Sequence, residues 1–275
     1  MKYNILYCSN EAYSPKLVCS LLSLLDSNQD ILKEIHIFIR TNDFSDDTIN
    51  RFYTIISEYG MDSKQLNVVF TDELESKLKD WHMKTFKGSY MCYYKLFGID
   101  ELLDGEYLDR ILVIDADTLV LDSLKELYYT DLDGCPVGAV KEFPTEKNHH
   151  ADGVVEYNTG VLLFDLEKYK RYNIEWLFRE AVNRIDDREW YTGDQLVFAE
   201  ALYEKKYIKK LDLKYNFIMN QLPFSYNEFC YYRDLKDGDY YNRNIYEVAR
   251  SIPQLFISFQ ELLFFLPGCT KAEDG

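Results

Sequence analysis

Apolar residues along the chain come in two rhythms: short dense runs, and longer stretches with one apolar position per helical turn. Residues 4–8 read as a first strand, followed by a polar loop, Ser9-Asn10-Glu11-Ala12-Tyr13-Ser14-Pro15. Ser14 is placed to cap a helix with Pro15 at its first position. That helix, residues 16–26, carries Leu17, Val18, Leu21, Leu22 and Leu25 on one face. Residues 35–39 predict a second strand, Ser45-Asp46-Asp47 opens a second helix that Gly60 ends, and residues 66–70 predict a third strand. Strand and helix thus alternate through the first third, the pattern of a parallel, doubly wound sheet. A short charged helix over 71–80, a loop over 81–88 and a helix over 89–103 follow.

The densest run is Ile111-Leu112-Val113-Ile114, a strand covered on both faces. Asp115 and Asp117 stand where it stops, and in an extended chain they face the same side. The neighbouring residues Thr118, Leu119 and Val120 offer nothing to neutralise them. Two such carboxylates predict a hard divalent cation at the carboxyl end of a central strand, where open α/β sheets gather ligands. Turn and cap chemistry is the plain alternative for Asp-x-Asp. An aspartyl-nucleophile phosphatase also starts with Asp-x-Asp after a strand, but there a Gly-Thr pair follows and the motif sits early; here Thr118 follows directly and 109 residues precede Arg110.

Further along, residues 137–140 predict a strand, and the polar stretch 143–155, with His149-His150, reads as a loop. Tyr157-Asn158-Thr159-Gly160 leads into the apolar run 161–164, so Asn158 and Thr159 sit at a strand start. Two helices over 166–172 and 174–185 follow. Trp190-Tyr191-Thr192-Gly193-Asp194-Gln195 opens another helix, where Asp194 satisfies free N–H groups and Gln195 has no evident structural reason. Strands over 207–211 and 253–259 flank an irregular aromatic region, 225–246.

Of the 275 residues, 47% are hydrophobic, 24 are Tyr and 17 are Phe, enough for a large core and for aromatic platforms. A net charge of −16 disfavours nucleic acid and anionic membrane surfaces and makes a bridging cation more necessary for any nucleotide. The six cysteines are scattered, as reduced thiols of a cytoplasmic protein would be. The amino terminus enters a strand directly, so no signal peptide is expected, and no apolar run has the length of a membrane span.

Several stretches together resemble the family of retaining glycosyltransferases that contains glycogenin and the bacterial lipopolysaccharide galactosyl- and glucosyltransferases, glycosyltransferase family 8. They are Cys8-Ser9-Asn10, Cys92-Tyr93-Tyr94-Lys95-Leu96, Asp115-Ala116-Asp117-Thr118, Tyr157-Asn158-Thr159-Gly160 and Gly193-Asp194-Gln195, in family order over residues 5–219. The resemblance implies a GT-A fold, α/β with one mostly parallel twisted sheet. It implies a nucleotide-sugar-binding and catalytic domain over 1–220 and a dependent, acceptor-side extension over 221–275. It implies transfer of glucose or galactose from a UDP-sugar to a glycan or glycoconjugate, such as a bacterial surface glycan, by a cytoplasmic protein with room for peripheral membrane attachment.

Carried over residue by residue, Cys8, Ser9, Asn10 and Tyr13 face uridine, and Asp115, Ala116 and Asp117 face the donor, with Asp115 and Asp117 holding Mn²⁺ or Mg²⁺. Lys95 stands where an Arg is usual and lacks its planar fork. Asn158 and Thr159 contact the donor sugar, Asp194 and Gln195 face the anomeric carbon, and Glu142 falls near an acceptor-facing position. The family's terminal His and Lys-Pro-Trp are missing: Ser258 stands for the His, a poorer ligand. A nucleotide-sugar-binding member without turnover is therefore the alternative. A nucleotidyltransferase would need a Gly-rich basic loop, which residues 9–15 do not provide.

Overall fold

In the computed structural model the dense apolar runs become strands and the periodic stretches become helices; it describes residues 2–99, 102, 109–142, 157–185, 193–218 and 256–258. Strands β1 (Tyr3–Cys8), β2 (Ile35–Thr41) and β3 (Leu66–Phe70) alternate with helices α1 (Ser14–Asp26), α2 (Asp46–Glu58) and α3 (Asp72–Asp80). Then come β4 (Arg110–Ile114), β5 (Thr118–Val120), the short helix α4 (Lys125–Tyr128), β6 (Val137–Lys141) and β7 (Tyr157–Asp165). Helices α5 (Leu166–Arg171), α6 (Ile174–Val182) and α7 (Asp194–Leu202) precede β8 (Ile208–Leu211), β9 (Phe217–Ile218) and β10 (Phe256–Ser258).

Seven strands form one sheet in the order β3-β2-β1-β4-β7-β6-β8. β3, β2, β1 and β4 run parallel, whereas β7 is antiparallel to both β4 and β6. Burial alternates with the strand period of two. Ile5, Tyr7, Leu112 and Ile114 face the α1 and α2 side, and Leu6, Ile111, Val113, Leu162 and Phe164 face the α6 and α7 side. Residues 111–114 are each at most 1% exposed, so β4 is covered on both faces as its composition requires.

The reversed β7 is what the linear reading lacked. Because it runs against β4, its beginning lies beside the end of β4: Ile114 pairs with Val161, and the Asp115 N–H donates to the Gly160 carbonyl at 2.8 Å. Residues at a strand start are thereby delivered to the carboxyl edge of the sheet. A second, three-stranded sheet, β5-β10-β9, was not anticipated; in it Ser258 pairs with Thr118, the residue after Asp117.

Three local expectations change. Tyr13, not Ser14, is the N-cap of α1; Ser14 is already helical, and the Asn10 side chain instead accepts from the Tyr13 N–H. The helix expected over 89–103 is, in its described part, a short 3-10 helix, Met91–Lys95. Asp115 and Asp117 do not lie in an extended segment but flank a turn closed by the Thr118 N–H on the Asp115 carbonyl at 3.1 Å. The stretches 143–155 with His149-His150, 190–192 and 225–246 lie outside the described residues.

Candidate active site

The 3-10 helix ending in Lys95 is held from several directions. Buried Arg40, at the end of β2, donates through Nη1 to the carbonyls of Tyr94 at 2.7 Å and Phe97 at 2.5 Å, and through Nη2 to that of Gly98. Tyr169 Oη donates to the Leu96 carbonyl at 2.9 Å, and Glu175 accepts from the Gly98 N–H at 2.9 Å. An unwound segment leaves carbonyls without helical partners, and a buried guanidinium answers several at once. An arginine inside the run Ile35-His36-Ile37-Phe38-Ile39-Arg40 was the available signal for this anchor, and it went unread.

So fixed, the Lys95 ammonium sits beneath a cleft of about 490 Å³ at the carboxyl edge of β1 and β4. Nζ lies 2.7 Å from Asp115 Oδ1, 3.0 Å from Asp194 Oδ2 and 3.1 Å from the Thr159 carbonyl. Thr159 Oγ1 also donates to Asp194 Oδ2. Burial opposes a charge on Lys95, but the two carboxylates outweigh it and hold its pKa above the ordinary lysine value. The expectation that nothing would meet the Asp pair is therefore wrong for Asp115, which has a buried base on one oxygen. A lysine 20 residues away in sequence is brought to it only by the fold.

Asp117 stands differently. It is 7% exposed, and burial together with the Asp115 charge pushes its carboxyl up to about 6. Next to it the buried Thr118 hydroxyl has no hydrogen-bond partner among the described residues. Among the described residues, Asp115 and Asp194 share one buried ammonium and Asp117 has no ion pair, which leaves these three carboxylates with an excess of negative charge. These hard oxygen donors, one of them in a charge-repelling position, fit a divalent cation. Among the described residues no group of three or more His, Cys, Asp and Glu is placed to hold a metal ion, so a cation here would rest on the Asp115–Asp117 pair with oxygens from outside the protein.

A second cluster adjoins the first. Glu142 Oε2 accepts from Asn158 Nδ2 at 2.6 Å and from Gln195 Nε2 at 2.7 Å. Asn158 Oδ1 accepts from the Gly160 N–H at 2.8 Å and from Asn216 Nδ2. Gly160 has no space for a side chain: a Cβ there would lie 2.8 Å from Asn158 Oδ1 and 3.2 Å from Asp115 Oδ2. Asn216 was missed from the sequence, although a polar residue between Tyr215 and Phe217 was the available sign. At the start of α7, Gly193 has φ +62°, and a Cβ would meet the Phe86 ring at 3.0 Å, so glycine alone suits this corner.

The cleft gathers Cys8, Ser9, Asn10 and Tyr13 from the loop after β1, the 115–117 turn, Asn158, Thr159, Asp194 and Gln195. Phe86 and Lys87, from the loop over 81–88, add a further wall. Of the described residues to which the resemblance gives a donor, acceptor or catalytic role, Glu142 alone is not a lining residue; it bonds to Asn158 and Gln195, which are. Burial pushes the Cys8 thiol up to about 12 and raises Cys92 as well, so both are inert neighbours rather than nucleophiles.

A model of glycosyl transferase family 8 matches residues 4–245. The chain belongs to that family. Curated relatives include general stress protein A of Bacillus subtilis, 23% identical over 74% of this chain and 70% of its own length. Glycosyltransferase GlyA of Streptococcus pneumoniae is 25% identical over 82% of this chain, which spans only 29% of that protein. Among solved structures, an active-site mutant of LgtC aligns with a TM-score of 0.66 at 20% identity over 93% of this chain and 86% of its own. The galactosyltransferase LgtC with donor and acceptor sugar analogs aligns with a TM-score of 0.65 at 18% identity, over 93% of this chain and 86% of that one. The family 8 chain accordingly has the GT-A glycosyltransferase fold. Among the described residues no helix is long and apolar enough to cross a membrane.

Proposed function

We propose that this family 8 member is a metal-dependent retaining hexosyltransferase, moving glucose or galactose from a UDP-sugar to a glycan or glycoconjugate acceptor. The observation that supports this best is the convergence of four separate sequence stretches on one cleft around Lys95. A volume of about 490 Å³ suits a nucleotide sugar. Asn10 and Tyr13 offer amide and ring to the nucleoside, with Tyr13 43% exposed and available for stacking. Ala116, the small residue between the two acids, leaves room for the backbone to approach the donor.

A diphosphate cannot enter a site already rich in carboxylates without compensating charge. Mn²⁺ or Mg²⁺ would be held by Asp117 and by the Asp115 oxygen that Lys95 leaves open. When bound, such a cation supplies Lewis-acid stabilisation of the departing nucleoside diphosphate. Lys95 holds the Asp115 and Asp194 carboxylates in place. Asp194, bonded to Lys95 and Thr159 through one oxygen, orients these groups rather than attacking. Gln195 is the group offered to the anomeric carbon, where an amide carbonyl stabilises developing positive charge without a charge of its own.

Incubation with UDP-glucose or UDP-galactose, Mn²⁺ and a glycan acceptor is expected to release UDP. Absence of release across UDP-sugars, with no UDP binding, would overturn the reading. Binding without turnover is the second reading, favoured by Ser258 standing opposite Thr118. Calorimetry decides between them: UDP affinity independent of Mn²⁺, with no release, selects the second.

A further inference from the structure

Resting on the transferase reading, we propose that Glu142 is a positioning residue that fixes which atom of Gln195 faces the reacting carbon, and that it does not touch the acceptor. A carboxylate has no proton to give. Both amides that meet Glu142 Oε2 must therefore turn their NH₂ groups toward it. Amide orientation is usually a matter of assignment; here a partner that can only accept settles it. Asn158 Oδ1 is consequently turned back onto the Gly160 N–H and Asn216. Gln195 Oε1 is turned away from Glu142, and no described residue takes it, so the carbonyl is the end of Gln195 presented to the cleft.

The polarity runs one way, from Asn216 through Asn158 to Glu142 and from Gln195 to Glu142. Reversing the Gln195 amide would set its carbonyl against Glu142 and aim two N–H donors at a carbon that becomes positive. The first is repulsive in a buried setting, and the second works against the transition state. Glu142 is 6% exposed and does not line the cleft, and its Oε2 is taken by the Asn158 and Gln195 amides that do. The acceptor-facing role implied by the family position gives way to this one.

Two experiments test it. In equilibrium unfolding, Glu142→Ala, Gln195→Ala and the double variant should be non-additive, the second truncation costing less once the first is made; additive effects would overturn the clamp. In kinetics, Glu142→Ala should lower kcat for sugar transfer and for donor hydrolysis by water alike, by about 10- to 100-fold. UDP affinity in Mn²⁺ and acceptor KM should stay within about twofold of wild type, and Glu142→Gln, which keeps an accepting oxygen, should recover part of the loss. A raised acceptor KM with unchanged hydrolysis would overturn the proposal in favour of acceptor contact. If wild type turned over no UDP-sugar, the transferase reading would fail by itself, while the unfolding cycle would still decide whether Glu142 holds Gln195.

Discussion

Two clusters share the floor of the cleft and are built on opposite principles. Around Lys95, two carboxylates and a carbonyl surround one buried ammonium, the Thr159 hydroxyl donates to one of those carboxylates, and charge balance holds the group together. Around Glu142, three amides are ordered by one carboxylate, and the direction of each hydrogen bond holds the group together. The ionic cluster decides how much charge the site tolerates and so what enters. The amide cluster decides which atoms point where. Their energetics differ accordingly: stranding a buried charge is severe, whereas loosening a neutral amide is mild.

The largest expected effect comes from breaking the ionic cluster. Lys95→Met leaves Asp115 and Asp194 facing each other without a base, and should cost about 3–5 kcal/mol in urea unfolding at pH 7.5 and abolish UDP release. The defect should shrink as pH falls toward 5, because the Asp115 carboxyl, already raised by burial, takes up a proton more readily once Lys95 no longer opposes it. A pH-independent defect would show that Lys95 contributes packing rather than charge.

An intermediate effect of the opposite sign is expected at Asp117. Its folded pKa of about 6 lies above the ordinary 3.8, so folding favours the protonated form. Relative to Asp117→Asn, the stability of wild type without metal should fall as pH rises from about 4 to 6 and remain lower above that, with Asn ahead by about 1–3 kcal/mol. Mn²⁺ with UDP should raise the wild-type Tm at pH 7.5 and leave that of Asp117→Asn unchanged. Equal metal-induced shifts in both proteins would remove Asp117 from the cation site.

The smallest effect should come from the far end of the amide cluster. Asn216→Ala removes one of two donors to Asn158 Oδ1 and leaves the Gly160 N–H in place. A loss of about 1 kcal/mol in stability and of a few-fold in kcat is expected, with UDP affinity unchanged. A loss as large as that of Lys95→Met would erase the distinction between the two clusters.

Much of the site was legible because its parts lie where secondary structure ends. Asp115 and Asp117 follow a run too apolar to be anything but a buried strand, and Asp194 and Gln195 follow a glycine at a helix start. Such boundaries are local properties of the chain. Arg40, Asn216 and the pairing of Lys95 with Asp115 were not legible, because each acts on residues between 20 and 58 positions away. The turn at Asp115–Thr118 was misread because a period of two was extended past the end of β4, where the backbone bends.

The sequence by itself determined the alternation of strands and helices, the buried central strand and the family, since periodicity and ordered motifs survive without contacts. Tertiary structure alone decided that β7 runs backward beside β4, and hence that Asn158, Thr159 and Gly160 meet Asp115. It also decided that, among the described residues, one carboxylate of the Asp pair is ion-paired with a buried base and the other is not. The physical reason is range: hydrophobic patterning acts within a few residues, while strand direction and charge pairing depend on which distant segments burial brings together.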